Sequence, residues 1–228
     1  QVIPVPVNIE NRQKMEKLLR AEGIRIFRDV HVSGHGARED HRELLEMIQP
    51  EIGLYFTNRP PAKTPYRVGL LSELIDIPAG ERNYVVERTI DLAADVDVLA
   101  VLPHLHYLGR RIEGYATLPN GKRQWLLLIK DWDFNWQSEY QYRQPVYLPK
   151  GTLITMRYTY DNSAENVRNP SVPPRRVVFG PQSIDEMGEL WLQVLPRRAG
   201  DLTALQNAHK SFSFQETAAY FENQLRAS

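Results

Sequence analysis

Val96-Asp97-Val98-Leu99-Ala100-Val101-Leu102-Pro103-His104-Leu105-His106 carries apolar side chains at every second position. Successive side chains of a strand point to opposite faces, so Val96, Val98, Ala100 and Leu102 share a face that His104 and His106 continue. Two imidazoles at the end of an apolar stripe suit a shielded metal at a sheet end. Two hydrogen-bonded core histidines would suit the same pattern. Outward from this stretch, further strands are expected over 67–77, 84–90, 111–118, 123–130, 152–160 and 187–194. Pro78-Ala79-Gly80-Glu81, Pro119-Asn120-Gly121-Lys122 and Pro149-Lys150-Gly151 read as turns between them, the second a hairpin centred on Asn-Gly. Short strands at regular spacing predict a mainly β fold, a β-sandwich. The tail from about 201 to 225, with Leu202, Leu205, Phe212, Ala219 and Phe221, reads as a helix.

The strand expected over 187–194 sharpens the metal reading. Leu190, Leu192 and Val194 make its apolar face, and Met187 falls on the other face with Glu189 and Gln193. A core methionine belongs with the leucines, as Met156 does with Ile154 and Tyr158. Met187 is therefore a candidate thioether ligand, with ordinary gap-filling as the alternative. Two imidazoles and a thioether form a soft donor set. Magnesium and calcium want oxygen, whereas a thioether favours Cu(I) and imidazole serves both copper oxidation states.

The 228 residues suffice for one large domain or two small ones, and 42% hydrophobic content is ample for a core. Formal net charge is zero with no basic block, so nucleic acid is not expected as a partner. The absence of cysteine removes disulfides, thiolate metal sites and cysteine nucleophiles. No apolar run approaches the ~18 residues of a membrane span, and no signal peptide is visible. The chain begins at Gln1, which reads as a processed form or a fragment. Asp131-Trp132-Asp133-Phe134-Asn135-Trp136-Gln137 is an aromatic corner, suited to packing or to a carbohydrate platform.

Residues 1–51 have a different, α/β rhythm. A helix capped by Asn8 runs to about residue 22, a strand covers 24–27, and a second helix over about 38–48 ends at Pro50. His31-Val32-Ser33-Gly34-His35-Gly36-Ala37-Arg38-Glu39-Asp40-His41 resembles the C-terminal loop of ribonuclease J-type nucleases, the metallo-β-lactamase/β-CASP family. Val2-Ile3-Pro4 and Asn8-Ile9-Glu10-Asn11-Arg12 share the resemblance. It implies that His35 helps hold a catalytic zinc pair and that His31 and Ser33 contact RNA phosphate. The His-x-His-x-Asp-His run of such nucleases is missing, and a two-metal site needs both ions clamped. The segment reads as an α/β fragment of a zinc-dependent ribonuclease, kept as a remnant or a structural appendage.

Residues 52–228 resemble the C-terminal half of the copper type II, ascorbate-dependent monooxygenases, the peptidylglycine hydroxylating and dopamine β-monooxygenase family, bacterial members in particular. The matching blocks are Pro78-Ala79-Gly80-Glu81, His104-Leu105-His106-Tyr107-Leu108-Gly109, Asp131 through Gln137, Asp161-Asn162-Ser163 and Asp185-Glu186-Met187. The resemblance implies a jelly-roll β-sandwich, the second of that family's two. It implies that His104, His106 and Met187 are catalytic, binding the copper at which dioxygen hydroxylates an unactivated C–H bond. Ascorbate or another external reductant would supply electrons through a second copper in a first sandwich. That sandwich and its histidine trio are absent, so the domain needs it as a partner. Leu102 stands where the peptide-hydroxylating members carry a carboxylate-binding arginine. Glu189 and Trp191 replace their substrate-binding Asn and Tyr. Peptidylglycine is therefore not the expected substrate, and some other small-molecule or peptide-like substrate is. The resemblance implies a periplasmic or extracellular location. The alternative is a catalytically silent sandwich that binds a metal or a partner.

Overall fold

The computed structural model describes residues 63–198 and 200–227. The α/β segment, its boundary at residue 51, and His31, Ser33 and His35 lie outside the described residues. Among the described residues ten strands and one helix follow in order: β1 (Tyr66–Leu71), β2 (Asp76–Ile77), β3 (Tyr84–Asp91), β4 (Val96–His104), β5 (Gly109–Thr117), β6 (Arg123–Ile129), β7 (Tyr140–Leu148), β8 (Leu153–Tyr160), β9 (Val177–Val178), β10 (Glu189–Pro196) and α1 (Asp201–Ala227).

Two four-stranded sheets run in the orders β1-β10-β4-β7 and β3-β8-β5-β6, and β2 and β9 form a small third sheet. Every strand pairing is antiparallel. The chain repeatedly leaves one sheet for the other, as in a jelly roll, so the expected sandwich is the fold observed. The inner faces merge into one core. Leu70, Val98, Leu190 and Leu192 come from one sheet, and Ile112, Ile154, Met156 and Tyr158 from the other. A Cβ on Gly114 of β5 would lie 3.1 Å from Leu190 on β10, which shows how closely the layers meet. Met156 is fully buried with Ile154 and Tyr158, as the alternation of β8 predicts.

The expected turns recur. Gly80 and Gly121 take φ of 84° and 80°, a left-handed conformation that costs glycine little. Asn162 closes the first turn: its buried amide donates to the carbonyls of Pro78 and Arg175, and its own carbonyl accepts from Gly80 N–H. Helix α1 packs on β1 and β3. Leu205 is buried there, and Glu216 accepts from Arg88 at 2.6 Å.

One expectation is corrected. The register of β4 shifts against both neighbours around Leu99, between Val98 and Ala100 on the β7 side and between Gln193 and Val194 of β10. A β-bulge adds one residue and reverses the alternation beyond it. Val96 and Val98 point inward before it, and Val101 and Pro103 after it, so Leu102 and His104 stand on the outer face. The histidines do not extend the inner stripe. They occupy the other side of the sheet, beneath the 131–137 corner.

Candidate metal centre

His104 is the last residue of β4, and its pairing partner on β10 is Glu189. Its Nδ1 lies 2.6 Å from Gln137 Oε1. The Gln137 amide cannot be turned the other way, because its Nε2 donates to the carbonyl of Phe134 at 2.9 Å. An amide oxygen only accepts, so Nδ1 of His104 carries the proton and Nε2 keeps the lone pair.

His106 lies in the turn between β4 and β5 and is 3% exposed. Its Nδ1 is 3.0 Å from the carbonyl of Asp185, again an obligate acceptor, so this ring too keeps its lone pair on Nε2. Burial pushes the His106 pKa below the usual imidazole value. The Asp185 carbonyl opposes that shift and the neighbouring His104 adds to it. A neutral imidazole is the form that binds metal. The two rings stand 5.1 Å apart, nearly perpendicular, and Phe134 packs edge-on against His106 at 5.5 Å. Trp132, buried against Gly109, donates its indole N–H to the carbonyl of His106 at 3.2 Å. The aromatic corner thus packs, through Trp132 and Phe134, while Trp136 is 75% exposed.

Met187 precedes β10 by two residues and is half-buried. The ladder ends at Glu189 with His104, and beyond it the Glu186 side chain joins the two segments. Oε2 of Glu186 accepts the backbone N–H of His106 at 2.9 Å and that of Met187 at 3.2 Å. The Met187 carbonyl accepts from Tyr160 Oη at 2.8 Å. The intervening Gly188 is required, since a Cβ there would lie 2.7 Å from that hydroxyl. The backbones of His106 and Met187, far apart in sequence, therefore meet at one carboxylate. Among the described residues no group of three His, Cys, Asp or Glu could hold a metal. Imidazole nitrogen and thioether sulfur suit copper.

Glu186 is the contribution that residue patterns do not disclose. Its carboxylate is fully buried, and burial pushes its pKa up to about 8 against the pull of the backbone amides of His106, Leu108, Met187 and Gly109. Its place beside Met187 was visible in the sequence, but nothing in sequence says that an acid there turns inward.

No family model matches the chain. The chain is 33% identical over 100 residues to ribonuclease J of Pyrococcus abyssi, covering 44% of this chain and 20% of that protein. It is 49% identical over 49 residues to ribonuclease J of Methanocaldococcus jannaschii, covering 22% of this chain and 11% of that protein. The chain thus spans a fifth or less of these relatives. Among solved structures it is similar to that of the infectious bursal disease virus Gx strain, at a TM-score of 0.34 and 7% identity over 65% of this chain and 35% of that one. It is also similar to the VP2 subviral particle of the same virus, at 0.32 and 8% over 75% and 39%. Similarity at that level carries no functional argument. What the comparisons do establish is that part of this chain is similar to ribonuclease J, and they say nothing about copper.

Proposed function

We propose that the sandwich is a copper-binding domain of the monooxygenase type, with His104, His106 and Met187 as its ligands. One observation carries this reading. Both imidazoles have Nδ1 against a carbonyl oxygen, and the two rings stand 5.1 Å apart, which leaves Nε2 of each as its donor to a metal. Hydrogen bonds of this kind orient metal-binding histidines and raise their basicity. Copper held there would supply the reactivity of dioxygen toward an unactivated C–H bond. The residues of this chain hold the ring planes, shield the His106 side with Phe134 and keep that imidazole neutral. The remaining histidine among the described residues, His209, is engaged by Tyr66 and Gly69. The described residues therefore offer no second histidine trio, and electrons must come from a partner domain or from ascorbate or another external reductant. Titration with Cu(I) against a chromophoric chelator tests the reading. About one ion per chain should bind, and His104→Ala or Met187→Ala should weaken binding at least tenfold. Equal binding by wild type and both variants would refute it. Ascorbate-driven oxygen consumption by the chain alone should be slow or absent, and robust coupled hydroxylation would contradict the need for a partner.

A second reading is favoured by the ribonuclease J similarity, to which both curated relatives point. In it the chain keeps a remnant of a zinc-dependent ribonuclease, and RNA becomes a partner despite the zero net charge. RNA cleavage by the chain with zinc or manganese, abolished in His35→Ala, would put this reading first. No helix among the described residues is long and apolar enough to cross a membrane, so neither reading invokes one.

A further inference from the structure

We propose that Glu186 is the positioning residue of this centre: its buried carboxylate fastens the methionine-bearing segment to the histidine-bearing turn. The inference rests on the reading of His104, His106 and Met187 as a metal centre. The β4–β10 ladder ends at the pair His104 and Glu189. Past that point the two segments diverge from regular pairing, and the Glu186 side chain takes over. Oε2 accepts from His106 N–H at 2.9 Å and from Met187 N–H at 3.2 Å, and Oε1 accepts from Leu108 N–H at 2.6 Å. The further tie is between His106 Nδ1 and the Asp185 carbonyl.

A fully buried carboxylate is costly unless its oxygens are hydrogen-bonded, and here both are, by amides alone. Converging N–H donors from two segments need an acceptor with two oxygens, which a neutral amide side chain does not offer. Asn162 shows the converse case in the same molecule: there carbonyls converge, and an amide serves. The backbone of Glu186 is itself fixed, its N–H donating to Val178 O and its carbonyl accepting from Gly180 N–H. The staple is thus anchored at its base before it reaches across. The backbone of Met187 is held beside that of His106 before any ion arrives, and on this proposal the thioether is a standing ligand and not one recruited by the metal.

Glu186→Gln tests this in the full chain. X-ray absorption of the Cu(I)-loaded wild type should show one sulfur scatterer beside the imidazole nitrogens. The variant should lose the sulfur and bind Cu(I) about 10–100-fold more weakly, as loss of outer-shell partners does. Ile154→Val, a core change that lowers stability without touching the centre, should keep the sulfur. Loss of sulfur in both variants would reduce Glu186 to general stability and overturn the proposal. So would a Glu186→Gln protein with the sulfur and the affinity intact. If wild type shows no copper–sulfur contact, the metal reading fails, and amide exchange of the metal-free protein decides Glu186 separately. The amides of His106, Leu108 and Met187 should exchange at least tenfold faster in Glu186→Gln, with those of β8 unchanged. Unchanged exchange at those three positions would overturn the staple. Should the Gln variant not fold, Glu186→Asp reads the same signals. A weakened sulfur contribution supports the role, and one at full strength contradicts it.

Discussion

At the scale of the residue, the nitrogen of each imidazole that is occupied decides which one can meet a metal. Gln137 decides this for His104, and Gln137→Ala should release that ring. Cu(I) affinity should fall about 10–100-fold with the folded state intact, read by chelator competition and circular dichroism. Unchanged affinity would show that the ring needs no such partner. His209 makes a separate prediction from the same chemistry. Its Nε2 accepts from Gly69 N–H, and burial depresses its pKa below 6.5. A depressed folded-state pKa means that the stabilisation is complete above the ordinary imidazole value and is lost as pH falls through the folded one. Stability should therefore drop as pH falls below about 6.5, the ordinary imidazole value, and His209→Gln should flatten that slope in denaturant titrations. A slope unchanged in the variant would remove His209 as its source. That His104 and His106 stand close together was legible from His-x-His, and Met187 is a candidate from its place off the leucine face of β10. Gln137 and Glu186 were not legible in these roles, because hydrogen bonding across 33 and 80 residues is a property of the fold and not of local spacing.

At the scale of the element, the bulge at Leu99 is what moves His104 outward, and alternation alone could not foresee it. A bulge is a count of two residues against one on a partner strand, so it appears only once the partner is known. Strand β7 escaped for a related reason. It is an edge strand whose inward row, Tyr140, Tyr142, Val146 and Leu148, is interrupted by exposed Gln144 and Pro145. Strand β10 shows how far alternation does reach. Leu190, Leu192 and Val194 are fully buried, as the period of two predicts. Its outward Trp191 lies flat over Gly69 on β1, its pairing partner, where a Cβ would be 2.5 Å from the indole ring. Gly69→Val should therefore displace Trp191 and cost about 1–3 kcal/mol in chemical denaturation. A neutral outcome would mean that the indole can move aside freely.

At the scale of the whole molecule, regular short strands and turn signals made a sandwich legible, but not which strands neighbour one another. The jelly-roll order depends on long-range pairing, such as β1 with β10, that no window of sequence contains. The C-terminal helix is part of the body, through Leu205 in the core and the Arg88–Glu216 ion pair. Leu205→Ala should lower stability by about 2–5 kcal/mol, and a loss below about 1 would mean that the helix is an appendage. A crystal structure of the Cu(I)-loaded chain would locate the ion. One ion is expected, with His104 Nε2, His106 Nε2 and Met187 Sδ all within about 2–2.5 Å of it. Copper bound elsewhere, bound through Nδ1, or bound with the Met187 sulfur turned away would contradict it.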